Sequence, residues 1–299
     1  MVAVFADWKG TILIAMSKGV NDDTKKYYDT TQISYNLLWM NKKNLAMHYG
    51  FWGKGIKTLH EALLNQNKET AEALGIKKDD RVLDAGCGVG GSAIWVAENY
   101  GANVTGITIV DKQIKQATKN AKNRGVDRLV DFKLMDYCNT DFPDESFDKI
   151  YAMESMCYAN NKAVFVKEMY RILKPGGILT ISDAFLDEKA IQKSDELMLN
   201  DWMVGWAVPN VSKIENFHND LCQTGFIEIN DKNVNEQIIP SAKRINKIGR
   251  VFYPFDWACN KLGLVSDTTF KSTIATVVQL HLFSEMIMQY HLIKARKPE

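Results

Sequence analysis

The composition of this 299-residue chain is that of a globular protein with one large domain, or one domain that carries an insertion. Hydrophobic residues make up 46% and charged residues 24%, so a substantial core can form without covalent or metal cross-links. The 37 basic and 36 acidic residues give a net charge of +1, which argues against a broad surface for nucleic acid or anionic membranes. A local basic patch stays open, and its candidates are Lys243, Arg244, Lys247 and Arg250, unless they only form a solvated helix face.

The five cysteines are odd in number and lack Cys-x-x-Cys spacing, which favours reduced thiols over disulfides or a zinc site. No apolar run approaches the roughly 20 residues that a membrane-spanning helix needs. Residues 1–16 lack the order of a signal peptide, and we expect an irregular or helical arm there. The sequence therefore predicts a soluble cytoplasmic protein without a resident metal.

The chain divides into four predicted regions. Residues 1–75 are aromatic-rich and are expected to form a helical N-terminal cap. Residues 76–235 alternate short β-rich runs with helical stretches, a pattern typical of a mainly parallel sheet with right-handed crossovers. The predicted strands are 81–85, 103–109, 131–135, 147–153, 178–182 and 226–229, and the predicted helices are 92–100, 111–124 and 163–173.

A second helical segment, residues 236–285, precedes a last strand at 290–295 within the final region, 286–299. Insertions of this size in α/β domains commonly cover substrates, so we expect a substrate lid. The same residues could equally add to the core.

A glycine-rich loop follows the first core strand and opens a helix, with the sequence Asp84-Ala-Gly-Cys-Gly-Val-Gly-Gly91. Glycine permits positive φ angles and a close approach of ligand to backbone, and ligands of parallel sheets bind at the carboxyl ends of strands. Gly86, Gly88 and Gly91 also satisfy the dinucleotide fingerprint Gly-x-Gly-x-x-Gly. The loop alone therefore fits S-adenosylmethionine or NAD(P).

Three further positions favour S-adenosylmethionine. Asp84, two residues before the first glycine, would lie near the positively charged end of a bound amino acid. Asp136 follows the third strand, where an adenine amino group needs an acceptor. The segment 173–177, Leu-Lys-Pro-Gly-Gly, precedes the fifth strand, and the order of these parts is more informative than any one of them.

With these parts in order, the sequence resembles the class I S-adenosylmethionine-dependent methyltransferases, closest to the small-molecule branch of sterol, tocopherol and sugar-modifying enzymes. The stretches that carry the resemblance are 82–91, 104–108, 142–148, 152–155 and 168–177, with a weaker likeness at 27–29 and 47–52. The resemblance implies a Rossmann-like α/β fold whose seven-stranded, mainly parallel sheet has an antiparallel last strand. The insertion matches no subfamily.

The resemblance also implies roles at the cofactor. Gly86, Gly88 and Gly90 would hold the methionine part. Asp136 would accept a hydrogen bond from the adenine amine, with Tyr137 stacking or hydrogen-bonding beside it.

Other expected cofactor contacts depart from the usual pattern or have a plainer alternative. Tyr28 and Trp52 would lie over the sulfonium, unless they only pack in the core. Many class I enzymes grip the ribose with an acid after the second strand, but this chain has Thr108 there, followed by Ile109. Members of the sterol and tocopherol branch also lack that acid, and we expect Thr108 or Gln113 to make the contact.

Candidate bases for methyl transfer are Glu154, Tyr158 and Asp183 at the strand ends and His48 in the cap. Glu154 is also expected to contact the cofactor. Sugar-modifying relatives have a histidine near the end of the fourth strand, and its loss here argues against histidine-assisted oxygen methylation. Carboxylate-assisted nitrogen or carbon methylation stays open, and each candidate could instead be structural.

The function predicted from the sequence is methyl transfer to a partly apolar small molecule, without nucleic acid partners or stable membrane insertion. The dinucleotide fingerprint keeps an NAD(P)-dependent oxidoreductase as one alternative. A non-catalytic S-adenosylmethionine-binding module is another, and the retained Glu154 and Asp183 argue mildly against it.

Overall fold

The computed structural model describes residues 4–6, 12–14, 24, 25, 27, 28, 30, 44–187 and 191–299. Strands in these ranges are β1 (Val4–Ala6), β2 (Ile12–Ile14), β3 (Arg81–Ala85), β4 (Asn103–Thr108), β5 (Val130–Leu134), β6 (Phe147–Met153), β7 (Leu173–Leu186), β8 (Asn210–Val211), β9 (Ile227–Asn233) and β10 (Met288–Arg296). The helices are α1 (Leu59–Leu74), α2 (Gly91–Tyr100), α3 (Asp111–Arg124), α4 (Lys162–Ile172), α5 (Lys193–Trp206), α6 (Ile214–Thr224), α7 (Asn235–Lys261) and α8 (Asp267–Ser284). A 3₁₀ turn, Met156–Tyr158, follows β6.

Seven strands form one sheet in the order β5-β4-β3-β6-β7-β10-β9. The strands β3 to β7 pair in parallel, whereas β10 is antiparallel to both β7 and β9. The direction in which successive strands are added to the sheet reverses between β3 and β6. At such a point the loops diverge and leave a crevice above the carboxyl ends of the strands. The predicted seven-stranded Rossmann-like sheet with an antiparallel last strand is confirmed.

Local sequence explains most of the element ends. For example, α1 begins with a capping box in which Thr58 and Glu61 satisfy each other's backbone N–H groups, and it ends at Gly75 in the left-handed conformation. Residues 82–85 of β3 are all buried, as expected for a parallel strand covered on both faces. All five cysteines carry free thiols, as predicted.

Two strands extend beyond the predicted bounds. β7 already begins at Leu173, because Gly176 and Gly177 pair with the backbone of Lys297 and Pro298 after β10. The Pro-Gly-Gly segment ends the helix as expected but continues as strand. β9 runs to Asn233 because its second half pairs with β10.

The prediction of an irregular or helical N-terminal arm is wrong for the residues that can be described there. β1 and β2 form an antiparallel pair, and β2 also pairs with β8. Short runs of β-branched and other apolar residues favour strands when a partner edge is present. The rest of the predicted cap is helical at Tyr27, Tyr28 and α1, and residues 31–43 lie outside the described residues.

The insertion is helical, as predicted, and consists mainly of α7 and α8. The helices pack closely, since a Cβ on Gly249 would lie 2.0 Å from Thr276 Oγ1. α8 also packs against α5, where a Cβ on Gly205 would lie 2.3 Å from Lys271 O. Within the described ranges, no helix combines the length and apolar character that a membrane span requires.

Candidate active site

A cavity of about 530 Å³, here called the main cavity, lies where β3, β4 and β6 end. It is lined by residues that follow each of these strands, and its volume is typical of a small-molecule site. Nothing in the described part of the chain groups three or more His, Cys, Asp or Glu side chains as metal ligands.

The glycine loop forms the floor of the main cavity through Gly86 and Gly88. Gly86 has φ +103°, and a Cβ there would lie 2.3 Å from the Cβ of Ser155, so only glycine fits. Gly88 has φ +51°, and a Cβ there would meet only Met47 Sδ at 3.5 Å. Gly90 is absent from the described lining, and a Cβ there would lie 2.7 Å from the Phe132 ring, so its expected cofactor contact stays a prediction.

Asp84 lies at the end of β3 and lines the main cavity, although only 3% of its surface is exposed. Its Oδ2 atom has no hydrogen-bond partner among the described residues. Burial raises the pKa of Asp84 to about 7. The site therefore offers a buried acceptor that a cationic ligand would keep ionised.

The opposite side of the main cavity contains the polar residues expected near a ribose. Thr108 donates a hydrogen bond to Gln113 Oε1 over 2.8 Å and accepts one from the Val110 N–H. Both side chains are buried and line the cavity beside Ile109. The Thr108 hydroxyl proton is thus engaged, which leaves the Gln113 amide nitrogen as the donor on this side.

Asp136 and Tyr137 line the same region after β5. Asp136 Oδ1 accepts a hydrogen bond from the Cys138 N–H over 2.8 Å, which orients the carboxylate. Tyr137 donates its hydroxyl to Ser155 O and packs edge-on against Phe165. The Tyr137 ring is therefore fixed as a wall of the cavity.

Tyr28 reaches the main cavity from the cap, as expected, but Trp52 does not line it. The Trp52 indole N–H donates to Ser241 Oγ in α7 over 2.9 Å, and its backbone N–H donates to Gln237 O. The expected contact of Trp52 with the sulfonium is therefore wrong. α7 provides a polar acceptor that draws the indole away from the site.

A smaller cavity of about 70 Å³, here called the side chamber, adjoins the main cavity. The two share Tyr28, Met47, Glu154 and Tyr158 as walls. Six aromatic side chains line the side chamber: Tyr28, Tyr49, Tyr158, Trp202, Trp206 and Tyr290. Asp183 lines this chamber and is absent from the described lining of the main cavity.

Glu154 lies at the junction of the two cavities and has φ +49°, a left-handed conformation that is uncommon for non-glycine residues. Its Oε1 atom accepts hydrogen bonds from the Tyr49 N–H over 2.6 Å and the Tyr290 hydroxyl over 2.8 Å. Burial raises the pKa of Glu154 to about 8 despite these bonds. The carboxyl can therefore hold or release a proton near neutral pH.

Asp183 is buried and bonded to the backbone. Its two oxygens accept hydrogen bonds from the N–H groups of Cys157 and Ala184, over 2.9 and 2.8 Å. Burial raises its pKa, which the nearby Lys162 partly opposes. Burial in turn lowers the pKa of Lys162 to about 8, and its ammonium group donates to the carbonyls of Cys157, Ala159 and Asn210. These bonds hold the 3₁₀ turn against the chamber.

His48 lines the main cavity, yet its contacts favour a positioning role. Nδ1 lies 2.7 Å from Tyr49 O and 3.0 Å from Gln66 Oε1, two acceptors, so Nδ1 carries the proton. Burial lowers the pKa of His48, which keeps the ring neutral. Gln66 in turn donates to the Tyr290 hydroxyl over 2.9 Å and so connects His48 to the network around Glu154.

Tyr158 is fixed by its hydroxyl. It donates to Trp206 O over 3.1 Å and accepts from the Tyr28 hydroxyl over 3.2 Å. Burial raises the pKa of Tyr28, so this phenol stays protonated. Tyr28 and Tyr158 together form part of the wall that the two cavities share.

The insertion does not form the expected lid over either cavity. The described lining of both contains no residue from 236–285. Gln279 in α8 instead accepts a hydrogen bond from the Tyr49 hydroxyl, and the Phe283 ring packs edge-on against Tyr49 at 5.7 Å. The insertion therefore supports the chamber wall from behind.

The sequence did not identify Tyr49, Gln66, Trp202, Trp206 or Tyr290 as site residues. Among them, Trp202 and Trp206 carried a usable signal, since they are four residues apart and share a helix face. The other three lie in separate elements: Tyr49 precedes α1, Gln66 is in α1 and Tyr290 is in β10, so only the tertiary fold brings them together.

Residues 83–181 match the family description of a methyltransferase domain. The chain is also 30% identical over 227 residues to 27-O-demethylrifamycin SV methyltransferase of Amycolatopsis mediterranei, a match that covers 76% of this chain and 81% of that protein. The chain belongs to the class I S-adenosylmethionine-dependent methyltransferases.

Other relatives of this methyltransferase match over part of their length. It is 34% identical over 180 residues to methyltransferase GfsG of Streptomyces halstedii, covering 60% of this chain and 62% of that protein. It is 28% identical over 224 residues to a sterol 24-C-methyltransferase of Kluyveromyces lactis, covering 74% and 59%. The chain thus spans about three fifths of the length of these two relatives.

Solved structures show the same fold. The [4+2]-cyclase SpnF superposes with a TM-score of 0.73 at 24% identity and covers 93% of this chain and 97% of its own. The cyclopropane synthase MmaA2 from Mycobacterium tuberculosis superposes with a TM-score of 0.80 at 16% identity, covering 93% and 98%. At these identities the likeness establishes architecture alone.

The residues of the main cavity fit S-adenosylmethionine, the cofactor of this family. Asp84 presents a buried oxygen without a partner among the described residues, as a cationic amino group requires. Gly88 leaves open backbone at the floor, and Asp136 and Gln113 offer an acceptor and a donor at the far side. The alternative of an NAD(P)-dependent oxidoreductase loses its support, because the family that the chain matches uses S-adenosylmethionine.

Proposed function

We propose that this methyltransferase methylates a carbon atom of a partly apolar small molecule whose reacting end enters the side chamber. The side chamber is the main support for this proposal, since it is aromatic, narrow and joined to the main cavity at Glu154. Its volume of about 70 Å³ admits only a small part of an acceptor. The name of the sterol 24-C-methyltransferase relative adds support for a carbon acceptor.

In this proposal the cofactor lies along the main cavity. Asp84 binds the amino group, and the backbone at Gly86 and Gly88 lies against the methionine part. Gln113 contacts the ribose, and Asp136 accepts from the adenine amine. When bound, S-adenosylmethionine supplies an electrophilic methyl group.

The side-chain roles follow from charge. A carbon nucleophile without a lone pair becomes positively charged as it is methylated, and aromatic faces stabilise such a charge by about 0.5–2 kcal/mol each. Tyr28, Tyr158 and Trp206 offer such faces at the chamber. The Tyr28 hydroxyl donates to that of Tyr158, which in turn donates to the Trp206 backbone carbonyl, so the two phenol rings keep their orientation.

Glu154 is the proposed proton acceptor. Methylation leaves a cation that must lose a proton: a C–H bond breaks, the proton moves to the Glu154 carboxylate, and the electron pair forms a carbon–carbon double bond or restores an aromatic ring. The raised pKa of about 8 suits an acceptor that works near neutral pH. A neighbouring cation lowers this pKa and keeps the carboxylate ionised before transfer.

The test uses S-adenosylmethionine carrying a ¹³C-methyl group, incubated with the protein and an apolar extract. The carbon-13 chemical shift of the product distinguishes methyl on carbon from methyl on nitrogen or oxygen. We expect a carbon-bound methyl group, and at least about a hundredfold slower transfer in Glu154→Gln with cofactor affinity largely retained. Label bound to nitrogen or oxygen would contradict the proposed acceptor.

A further inference from the structure

The tip of the helical insertion concentrates the exposed apolar surface of the protein. Eleven large apolar side chains are exposed among the described residues, and seven of them lie within residues 251–264. Their exposed fractions reach 63% at Phe255, 50% at Trp257 and 73% at Leu262. Residues 251–264, here called the tip, thus differ from the rest of the surface.

Apolar side chains cover most of the circumference of the tip, whose polar positions are Asp256, Asn260 and Lys261. After Gly249, which packs against α8, no residue from 250 to 264 is buried. Phe252, Tyr253 and Phe255 point in different directions, because successive residues of a helix are rotated by about 100°. A helix that is apolar over most of its circumference is normally buried, so a surface outside this chain is needed to cover the tip.

Four basic side chains precede the tip on one exposed face of α7, and this stripe is here called the basic collar. Lys243, Arg244, Lys247 and Arg250 are exposed and precede the tip within α7 by up to about 12 Å along the axis. Residues 243–271 contain six basic and two acidic residues, a net charge of +4 within a chain of net charge +1. The two acidic side chains, Asp256 and Asp267, already accept hydrogen bonds from Thr273 and Asn260.

An apolar tip next to a stripe of basic side chains indicates which kind of surface covers the tip. We propose that the tip docks on an anionic lipid bilayer, with its apolar side chains in the interface and the basic collar at the phosphate headgroups. Trp257 and Tyr253 are of the types that favour membrane interfaces. Pairing with a second copy is disfavoured, because it would bring together two segments 243–271 that each carry a net charge of +4.

Docking at this point would place the side chamber close to the lipid. A Cβ on Gly205 would lie 2.3 Å from Lys271 O, so the end of α5 contacts the first turns of α8, next to the tip. Trp206, the residue after Gly205, lines the side chamber. An apolar acceptor could thus pass from the bilayer toward the chamber, although the docking itself does not depend on the proposed reaction.

The test is co-sedimentation of the full chain with vesicles of phosphatidylcholine alone and with about 30 mol% phosphatidylglycerol at low salt. We expect binding to the anionic vesicles that weakens as salt is raised. The triple variant Phe255→Ser, Trp257→Ser, Leu262→Ser should bind at least about tenfold more weakly. Replacing Lys243, Arg244, Lys247 and Arg250 together by Gln should weaken binding roughly 100-fold.

Control variants distinguish the contribution of the tip to vesicle binding from that of exposed apolar or basic side chains in general. Leu197→Ser removes an equally exposed apolar side chain elsewhere, and replacing Lys112, Lys115, Lys119 and Lys122 by Gln removes four charges from α3. Both controls should bind like the unchanged protein. Calorimetry with S-adenosylhomocysteine verifies that every variant is folded.

Three results would overturn the docking. The first is that the unchanged protein sediments with neither vesicle, and the second is that the tip variant binds as tightly as its control. Alternatively, sedimentation velocity could show a dimer that the tip variant converts to a monomer, without vesicle binding by either. That last result would assign the tip to a second copy of this chain.

Discussion

At the scale of single residues, Asp84 has the contact pattern of a ligand-binding carboxylate. Burial of the Asp84 carboxylate costs free energy and raises its pKa, and interactions with the Tyr151 hydroxyl and the Ala93 N–H offset this only in part. A cationic ligand removes this cost by supplying both a positive charge and a hydrogen-bond donor. The residue was identified from its position before the glycine loop, and its burial explains why that position is effective.

Replacing Asp84 by Asn tests this role while keeping the shape of the side chain. The neutral amide loses the charged interaction, so we expect affinity for S-adenosylhomocysteine to fall about 10- to 100-fold. Isothermal titration calorimetry measures the change. Asp131→Asn on β5, whose carboxylate is 67% exposed, is the matched control and should bind normally. Equal affinities for both variants would remove Asp84 from the cofactor site.

At the scale of elements, the glycine loop depends on its contact with the segment after β6. Gly86 combines a positive φ with a distance of 2.3 Å between its hypothetical Cβ and Ser155 Cβ. The Gly86 and Cys87 N–H groups both bond to Ile107 O, which prevents the loop from moving away. The loop therefore cannot relax around a larger residue.

Gly86→Ala should lower the free energy of unfolding by about 2 kcal/mol or more, because strain and overlap add. Urea unfolding measures this loss. Gly125→Ala at the end of α3 is the control, since its φ of +71° is similar but no atom lies within 4 Å of the added Cβ. That control should cost only about 1 kcal/mol. A smaller effect at Gly86 than at Gly125 would contradict the contact.

Helices and strands could be predicted wherever the local sequence determines where they begin and end. β6 and α3 have the predicted bounds, because apolar periodicity and flanking turn residues define both. β1, β2 and the start of β7 were missed, because β2 and the start of β7 pair with distant segments and β1 pairs only with β2. The same reason explains the site: Asp84 and Glu154 follow strands of the recognisable core, whereas Tyr49 and Tyr290 reach Glu154 from other regions.

At the scale of the whole molecule, three buried carboxyl groups lie around the two cavities. Burial raises the pKa of Asp84 to about 7, that of Glu154 to about 8, and that of Asp183 in the same direction. In the unfolded chain these groups titrate near their ordinary values of 3.8 to 4.5. Between these limits the folded state binds more protons, so the protein loses stability as pH rises.

We therefore expect the ligand-free protein to unfold at lower urea concentration at about pH 9 than at about pH 6. Glu154→Gln removes one of these three titrating groups and should flatten this dependence. Unfolding midpoints at several pH values measure both. Glu285→Gln, an exposed substitution at the end of α8, serves as control and should keep the slope. A slope of opposite sign would contradict the buried, protonated state of Glu154.

The position of β10 between β7 and β9 has a consequence for biosynthesis. β10 follows every other strand in the chain, so during synthesis β9 has no partner in the sheet until β10 has left the ribosome. Tyr290 on β10 then delivers the hydroxyl that binds Glu154. The nascent chain can thus complete its cofactor loop early, while the acceptor side of the site is assembled last.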